Sequence, residues 1–135
     1  MLIAAFIVLN WTLVLRVLPA FERYKPVVPI SDIIRAKAGT NERIVHYDVA
    51  MPSMVFYLQR RIEAAFSREQ FLEFAQAHPT VFGVMPEDVF EDLRRDLGPA
   101  ACVLGRQPTF DAKLRQMLAR TPPTPVVVIS TKCAR

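Results

Sequence analysis

Two polar side chains flank the end of a predicted strand near the middle of the chain. Asp48 lies near the carboxyl end of the strand predicted over Ile44–Val49, where open α/β sheets usually place ligands. Ser53 opens a helix led by Pro52, a position similar to the nucleophile of hydrolases, but it lacks both flanking glycines. Asp48 also has a structural interpretation, because its carboxylate can accept hydrogen bonds from the backbone amides of the Pro52 helix. No second polar group at a matching strand end supports a site, so the structural interpretation is favoured.

The two histidines do not form a catalytic pattern. His46 lies within the same strand, His78 ends a helix before Pro79, and neither has a Cys or Ser partner at a recognised spacing. The chain contains no GxGxxG, Walker or GxSxG sequence, and its four glycines leave little room for a phosphate-binding loop. We therefore predict no catalytic residue and no cofactor or cofactor-binding residue.

Cys102 and Cys133 are the only cysteines. They form no CxxC pair and have no nearby histidine at metal-ligand spacing, so we predict no metal site. In an oxidising compartment the pair would form a disulfide between late strands. Two buried free thiols are equally consistent with the sequence, because free cysteine behaves as a small hydrophobic residue.

The charges are mixed along the chain. The formal net charge is +4, with 17 basic and 13 acidic residues and no run of five like charges. This pattern argues against a nucleic-acid partner. It is typical of a solvated surface with some attraction to anionic lipid head groups.

The first 21 residues predict a transmembrane helix. The run from Leu2 to Leu15 reads LIAAFIVLNWTLVL, with only Asn10 and Thr12 polar, and apolar residues continue to Phe21. This length is marginal for a span, and Arg16 would extend toward the head groups. A secretory signal would need a basic start and a cleavage site, which are missing. A buried core helix is the remaining alternative.

Residues 22–41 are predicted to be a proline-rich tether with a short helix. The prolines of LPAFERYKPVVP favour an extended, stiff chain leaving the membrane. Ser31 is predicted to cap a helix over Asp32–Ala38, with Gly39 as its stop. Residues 42–135 then form the α/β domain.

Strand and helix patterns alternate through that domain. The predicted strands are Ile44–Val49, Ile62–Ala65, Val81–Met85, Ala101–Leu104 and Val126–Ile129. The predicted helices are a largely buried one over Met54–Leu58, one opened by the Ser67/Gln70 capping box, one opened by Pro86, and one capped by Thr109. Because the last strand reads VVVI without alternation, it is expected to be buried on both faces. The fold class is therefore α/β, a small three-layer α/β/α domain with about five strands.

Several surface assignments accompany these elements. The arginine pairs Arg60–Arg61 and Arg94–Arg95 are expected to lie on the surface. Phe56 and Tyr57 are expected in the core or at an interface.

Two stretches resemble a known family. The segment LPAFERYKP at Leu18–Pro26 and YDVAMPSMVFYLQRRI at Tyr47–Ile62 resemble the end of bacterial polytopic membrane glycosyltransferases. These enzymes are similar to dolichyl-phosphate-mannose protein mannosyltransferases and the lipid A aminoarabinose transferase. The shared pattern is a last membrane helix ending in a Pro–Arg/Tyr–Lys–Pro tether, then a strand, then Pro–Ser–hydrophobic–Phe–Tyr–Leu, and then an arginine before a short strand.

The resemblance implies an accessory role. Family members transfer a sugar from a polyprenyl-phosphate donor outside the cytoplasm, and their acidic catalytic residues lie among the first membrane helices. No such region is present here, so no catalytic residue is carried over. The implied partners are membrane lipid and the membrane-embedded part of the parent enzyme. The implied location is the inner membrane, with the α/β domain on the periplasmic side.

The charges after the first helix conflict with that orientation. Arg16, Arg23 and Lys25 follow it and would favour a cytoplasmic location for that side, although earlier helices of a polytopic parent can dominate the topology. Three functions therefore remain open: the end of a glycosyltransferase, a stand-alone membrane-anchored binding module, or a small hydrolase or transferase using Asp48 or Ser53.

Overall fold

The computed structural model describes residues 2–17, 26–108 and 124–133. Its helices are α1 (Leu2–Thr12), continued by a π-helical turn (Leu13–Val17), α2 (Val27–Lys37), α3 (Met54–Leu58), α4 (Arg68–Ala77) and α5 (Glu87–Leu97). Its strands are β1 (Arg43–Tyr47), β2 (Glu63–Ala65), β3 (Val81–Pro86), β4 (Cys102–Gln107) and β5 (Val126–Ser130). The predicted α/β class is confirmed. The helix predicted after Thr109 lies outside the described residues.

The five strands form one mixed sheet in the order β2-β1-β3-β5-β4. Strand β1 pairs in parallel with both β2 and β3, whereas β5 is antiparallel to its neighbours β3 and β4. The connection from β1 to β2 runs one way along the sheet and the connection from β2 to β3 runs the other way. Because crossovers between parallel strands are right-handed, their helices α3 and α4 must lie on opposite faces.

Helices cover both faces of the sheet. One core joins residues of α2 and α3 to the sheet, including Ile30, Ile34 and Met54. The other joins α4 and α5 to the opposite face, including Phe71 and Phe90. The domain therefore has the helix, sheet and helix layers that the alternating pattern predicts.

Strand β5 contributes to both cores. Val126 and Val128 lie in the first core, and Val127 and Ile129 lie in the second. All five of its residues are buried, which confirms the interpretation of the uninterrupted VVVI run.

The caps of α4 and α5 agree with the sequence. The Ser67 hydroxyl accepts a hydrogen bond from the Gln70 backbone N–H at 3.2 Å, and the Gln70 side chain accepts one from the Phe66 N–H at 2.9 Å. Helix α5 begins after Pro86 with Glu87 and Asp88 in its first turn and ends at Gly98, whose φ is 80°. Gly98 adopts this left-handed conformation without steric cost.

The short helix predicted after the proline-rich tether is confirmed, but it begins before Asp32, so the predicted extended chain at Val27–Pro29 is wrong. Helix α2 begins at Val27, with Pro26 as its N-cap and Pro29 inside its first turn. Prolines are tolerated there because the first amides of a helix have no partner within the helix. Ser31 is buried in the helix instead of capping it, and its hydroxyl has no hydrogen-bond partner among the described residues.

The prediction that α3 is largely buried is also wrong. Only Met54 and Leu58 are buried, whereas Val55, Phe56 and Tyr57 are exposed, with Phe56 at 82%. A single turn packed against a core can bury only the side chains on one side.

The first segment is helical as predicted. Its apolar side chains are exposed, and within residues 2–17, 26–108 and 124–133 we find no helix that is both long and apolar enough to cross a membrane. The transmembrane helix over residues 1–21 therefore stays a prediction.

Candidate functional site

The carboxyl ends of β1 and β3 are where an open α/β sheet of this topology would place a ligand. These strands are neighbours, and their connections leave toward opposite faces, which creates a crevice at this edge. The acidic residues that follow them are Asp48 after β1 and Glu87 after β3. A catalytic role would require a polar environment around one of these two carboxylates.

Asp48 has a backbone role instead of a binding environment. Strand β1 ends at Tyr47, not at Val49, because Asp48 takes a left-handed conformation with φ of 53°. Asp48 is exposed, and no described residue forms a hydrogen bond or ion pair with its side chain. The expected hydrogen bonds to the amides of α3 are therefore not made. Aspartate is one of the few residues that adopt this conformation readily, which accounts for its presence at the end of the strand.

The other predicted candidates do not join Asp48. Ser53 is the N-cap of α3, but its side chain makes no capping hydrogen bond. His46 is half-buried in β1. The His78 ring contacts Phe74, with Nδ1 3.0 Å from the Phe74 carbonyl oxygen and the ring centroids 4.5 Å apart. This contact closes the last turn of α4.

Glu87 is already engaged in the fold. Its carboxylate lies 2.6 Å from Arg106 Nε of β4, and its backbone N–H donates to the Pro125 carbonyl at 2.9 Å. These contacts tie the start of α5 to the two strands beyond β3. Because the carboxylate is held in an ion pair, it is not positioned to accept a proton from a substrate as a general base would.

The shifted pKa values also belong to helix ends. The pKa of Arg68 is raised because its side chain hydrogen-bonds Asp96 of α5. The pKa of Glu69 is lowered, first by a hydrogen bond from its own backbone N–H and then by the Ser67 side chain. Both residues lie in the first turn of α4, outside the crevice. Glu69 stabilises that turn through the helix dipole, and Arg68 holds it in contact with α5. Neither shift marks a catalytic group.

A polar cleft opens at the amino edge of the sheet. Its lining includes Lys37, Glu42, Thr80 and Lys132 together with both cysteines, and its volume is about 670 Å³. Glu42 Oε2 accepts a hydrogen bond from the Gly39 N–H at 2.5 Å, so this carboxylate is used to fix the turn before β1. The cleft has mixed charge and brings no nucleophile together with a base. In the described part of the chain, no three His, Cys, Asp or Glu residues are grouped to hold a metal ion.

The cysteines are joined by a disulfide bond. Cys102 begins β4, and Cys133 lies three residues past the end of β5, with 6.0 Å between their Cα atoms. The Cys133 backbone N–H also donates to the Ala100 carbonyl at 3.0 Å. Of the two states that the sequence leaves open, the structure has the disulfide.

Two arginines have positioning roles that the sequence did not reveal. Arg35 of α2 donates to the Tyr57 carbonyl at the end of α3. Arg60 donates to the carbonyls of Thr40 at 2.9 Å and Glu42 at 2.5 Å. The expectation of a surface role is therefore wrong for Arg60, which is half-buried and holds the end of α3 against the chain entering β1. No local spacing signals these contacts, because the partners are 18 to 22 residues away.

These contacts present an apolar surface. Met54 and Leu58 anchor α3 in the core, while Val55, Phe56 and Tyr57 point into solvent; these three residues are the α3 surface. Exposed aromatic side chains on a well-anchored helix are typical of interaction surfaces. The α3 surface therefore has the properties of a protein-binding site, whereas the crevice lacks those of an active site.

Substitutions at Asp48 should separate the backbone role from a role of the carboxylate. Asp48→Asn is expected to change the free energy of unfolding by less than about 0.5 kcal/mol, because asparagine tolerates the left-handed conformation and no ion pair is lost. Asp48→Val is expected to lower it by about 1–2 kcal/mol, because a β-branched residue is strained there. Urea unfolding of the two variants provides the measurement. A large loss with Asn and none with Val would contradict the backbone role.

Removing the disulfide should destabilise the domain. The cysteines are 31 positions apart, and the chain-entropy treatment gives a loss of about 3–4 kcal/mol for the double variant Cys102→Ser/Cys133→Ser. Urea unfolding of this variant and of the wild type with and without reductant measures the effect, and the reduced wild type should match the variant. Two free thiols titrated in the unfolded, unreduced wild type would refute the bond.

The chain was also compared with known proteins. No protein-family model, curated protein or solved structure matches it.

Proposed function

We propose that the chain is a membrane-anchored accessory domain, forming the last membrane helix and C-terminal α/β domain of a lipid-linked-sugar glycosyltransferase. The observation that carries the anchor is the apolar surface of the first helix. From Ile3 to Leu15 its large side chains are exposed in all directions, among them Ile3 at 77% and Trp11 at 61%. A helix that is apolar on every side requires apolar surroundings.

Insertion into a bilayer is favoured over attachment to its surface. A helix lying in the interface needs a charged or polar face, and α1 with its π-helical turn carries one charged residue, Arg16, in the last turn. Thr12 adds little polarity, because its hydroxyl donates to the Val8 carbonyl at 2.8 Å within the helix. Arg16 near one end can reach the head groups while the rest stays in hydrocarbon.

The disulfide favours an extracytoplasmic location for the α/β domain. Structural disulfides persist in oxidising compartments and are rare in the cytoplasm. The Cys102–Cys133 bond joins β4 to the chain beyond β5 and belongs to the folded domain. It supports the side of the membrane that the family resemblance implies and argues against the orientation favoured by Arg16, Arg23 and Lys25.

The glycosyltransferase part of the proposal rests on the resemblance of Tyr47–Ile62. In the fold this stretch supplies the end of β1, the left-handed turn at Asp48 and helix α3, whose Met54 and Leu58 enter the core. A stretch with these roles is scaffold. Such a role fits an accessory domain whose parent carries its catalytic acids elsewhere, so the chain itself is proposed to be inactive.

A second candidate function is that of a stand-alone membrane-anchored module that binds another protein. The α3 surface favours it, because Arg35 and Arg60 hold this exposed apolar turn in a fixed position. A preformed surface loses little conformational entropy on binding.

The size and location of the native polypeptide distinguish these functions. An antibody against the purified chain is used to probe membrane and soluble fractions of the source cells after a carbonate wash. The glycosyltransferase proposal predicts a membrane band several times larger than 15.3 kDa that protease digests in spheroplasts. Purified, that polypeptide should transfer sugar from a polyprenyl-phosphate donor, while the chain alone should not. A soluble band of 15.3 kDa would overturn both functions.

The binding-module function makes a different prediction. The detergent-solubilised chain should retain one stoichiometric partner, and Phe56→Ser should abolish its recovery. Phe66→Ser is the matched control, because Phe66 is equally exposed, at 85%, but lies outside the α3 surface. Equal losses with both variants, or with neither, would rule out α3 as the docking surface.

A further inference from the structure

One amide in the first helix has no partner. Asn10 is exposed in the middle of the apolar segment, and no described residue accepts or donates a hydrogen bond to its side chain. Thr12, the other uncharged polar residue of α1, is satisfied within the helix by Val8. An amide without partners in hydrocarbon is costly, because no water is present to replace them.

Asn10 shares one side of the helix with four apolar residues. Phe6, Ile7, Asn10, Trp11 and Val14 together line an open surface hollow of about 280 Å³. Side chains at these spacings lie on three successive turns, and such a group of neighbouring residues forms the hole that accepts a side chain from a facing helix. Ile7 and Val14 are β-branched and lose little rotamer freedom when a neighbour packs against them.

We propose that this hollow is the contact surface for α1 of a second copy of the chain, with the two Asn10 side chains hydrogen-bonded to each other. The inference rests on the proposed insertion of α1 into a membrane. A side-chain amide carries both donors and an acceptor, so two copies related by a two-fold axis satisfy each other. Interhelical hydrogen bonds of this kind hold membrane helices together.

A second copy fits this surface better than an unrelated helix. Copies that insert in the same orientation place Asn10 of one at the same depth as Asn10 of the other. An unrelated helix would need its own hydrogen-bonding side chain at that depth. The hollow contains no charged residue, so a parallel pair brings no like charges into contact there. The Arg16 side chains lie at the polar end, where each can remain solvated.

The test measures self-association and membrane insertion separately on the full chain. Sedimentation equilibrium in density-matched detergent gives the dimer dissociation constant, and flotation with phospholipid vesicles reports insertion. Asn10→Leu is expected to weaken dimerisation about 5- to 30-fold while still floating with the vesicles. Asn10→Gln, which keeps the amide, should retain most of the affinity. Thr12→Val is the control on the other side of the helix and should not change it.

The outcomes separate this inference from the proposed function. A wild-type chain that does not float overturns the membrane anchor and the inference with it. A chain that floats but stays monomeric overturns only the pairing and assigns the hollow to a different membrane helix. A dimer unaffected by Asn10→Leu, or equally weakened by Thr12→Val, also overturns the role of Asn10.

Discussion

Burial of β5 on both faces is the constraint on which the domain depends. Its five residues pair with β3 on one side and β4 on the other, and its side chains enter the two cores alternately. A strand with no polar face requires helices above and below it, which fixes the three layers. Because β5 follows β4 in the sequence but lies between β3 and β4 in the sheet, β3 and β4 are consecutive in the chain without being paired. The sheet is completed only by this non-local pairing, and the disulfide at Cys133 then joins the chain after β5 to the start of β4.

The polar side chains mostly maintain this arrangement. Glu87 connects α5 to β4 through Arg106, Arg68 connects the start of α4 to Asp96 of α5, and Arg60 holds the end of α3. Each contact joins a charged side chain to a neighbouring element of the fold. An active site needs the opposite condition, with polar groups converging on a space that a substrate can enter. The crevice at Asp48 does not meet it.

The sequence predicted the features that depend on local chemistry. The Ser67 cap, the acidic first turn of α5 with Gly98 at its end, and the buried β5 each follow from adjacent residues and were correct. The errors arose where contacts between residues distant in the sequence determine the local structure. Pro26 and Pro29 suggested an extended tether. The chain forms a helix there instead, because Val27 and Ile30 pack into a core against the sheet.

The candidate site was less predictable than the fold. Asp48 matched the expected position of a ligand-binding carboxylate, yet its φ of 53° shows that the residue type serves a turn. One sequence cannot separate these uses, because a polar residue at a strand end fits both. The exposure of the α3 surface could not be predicted from the sequence either. The run MVFYL is apolar throughout, and only packing determines which two residues face the core.

The first helix shows where function is to be sought in this chain. Neither core includes a described residue of α1, so both faces of the sheet are closed without it. Its apolar surface therefore does not complete the domain, and a chain that kept such a surface in water would aggregate. The proposed membrane anchor gives it an apolar environment outside the domain, and that environment leaves the Asn10 amide unsatisfied. In the proposed function, the polar domain lies in water and the apolar helix in lipid. The chain then holds a folded unit at a membrane, where its α3 surface can meet a partner.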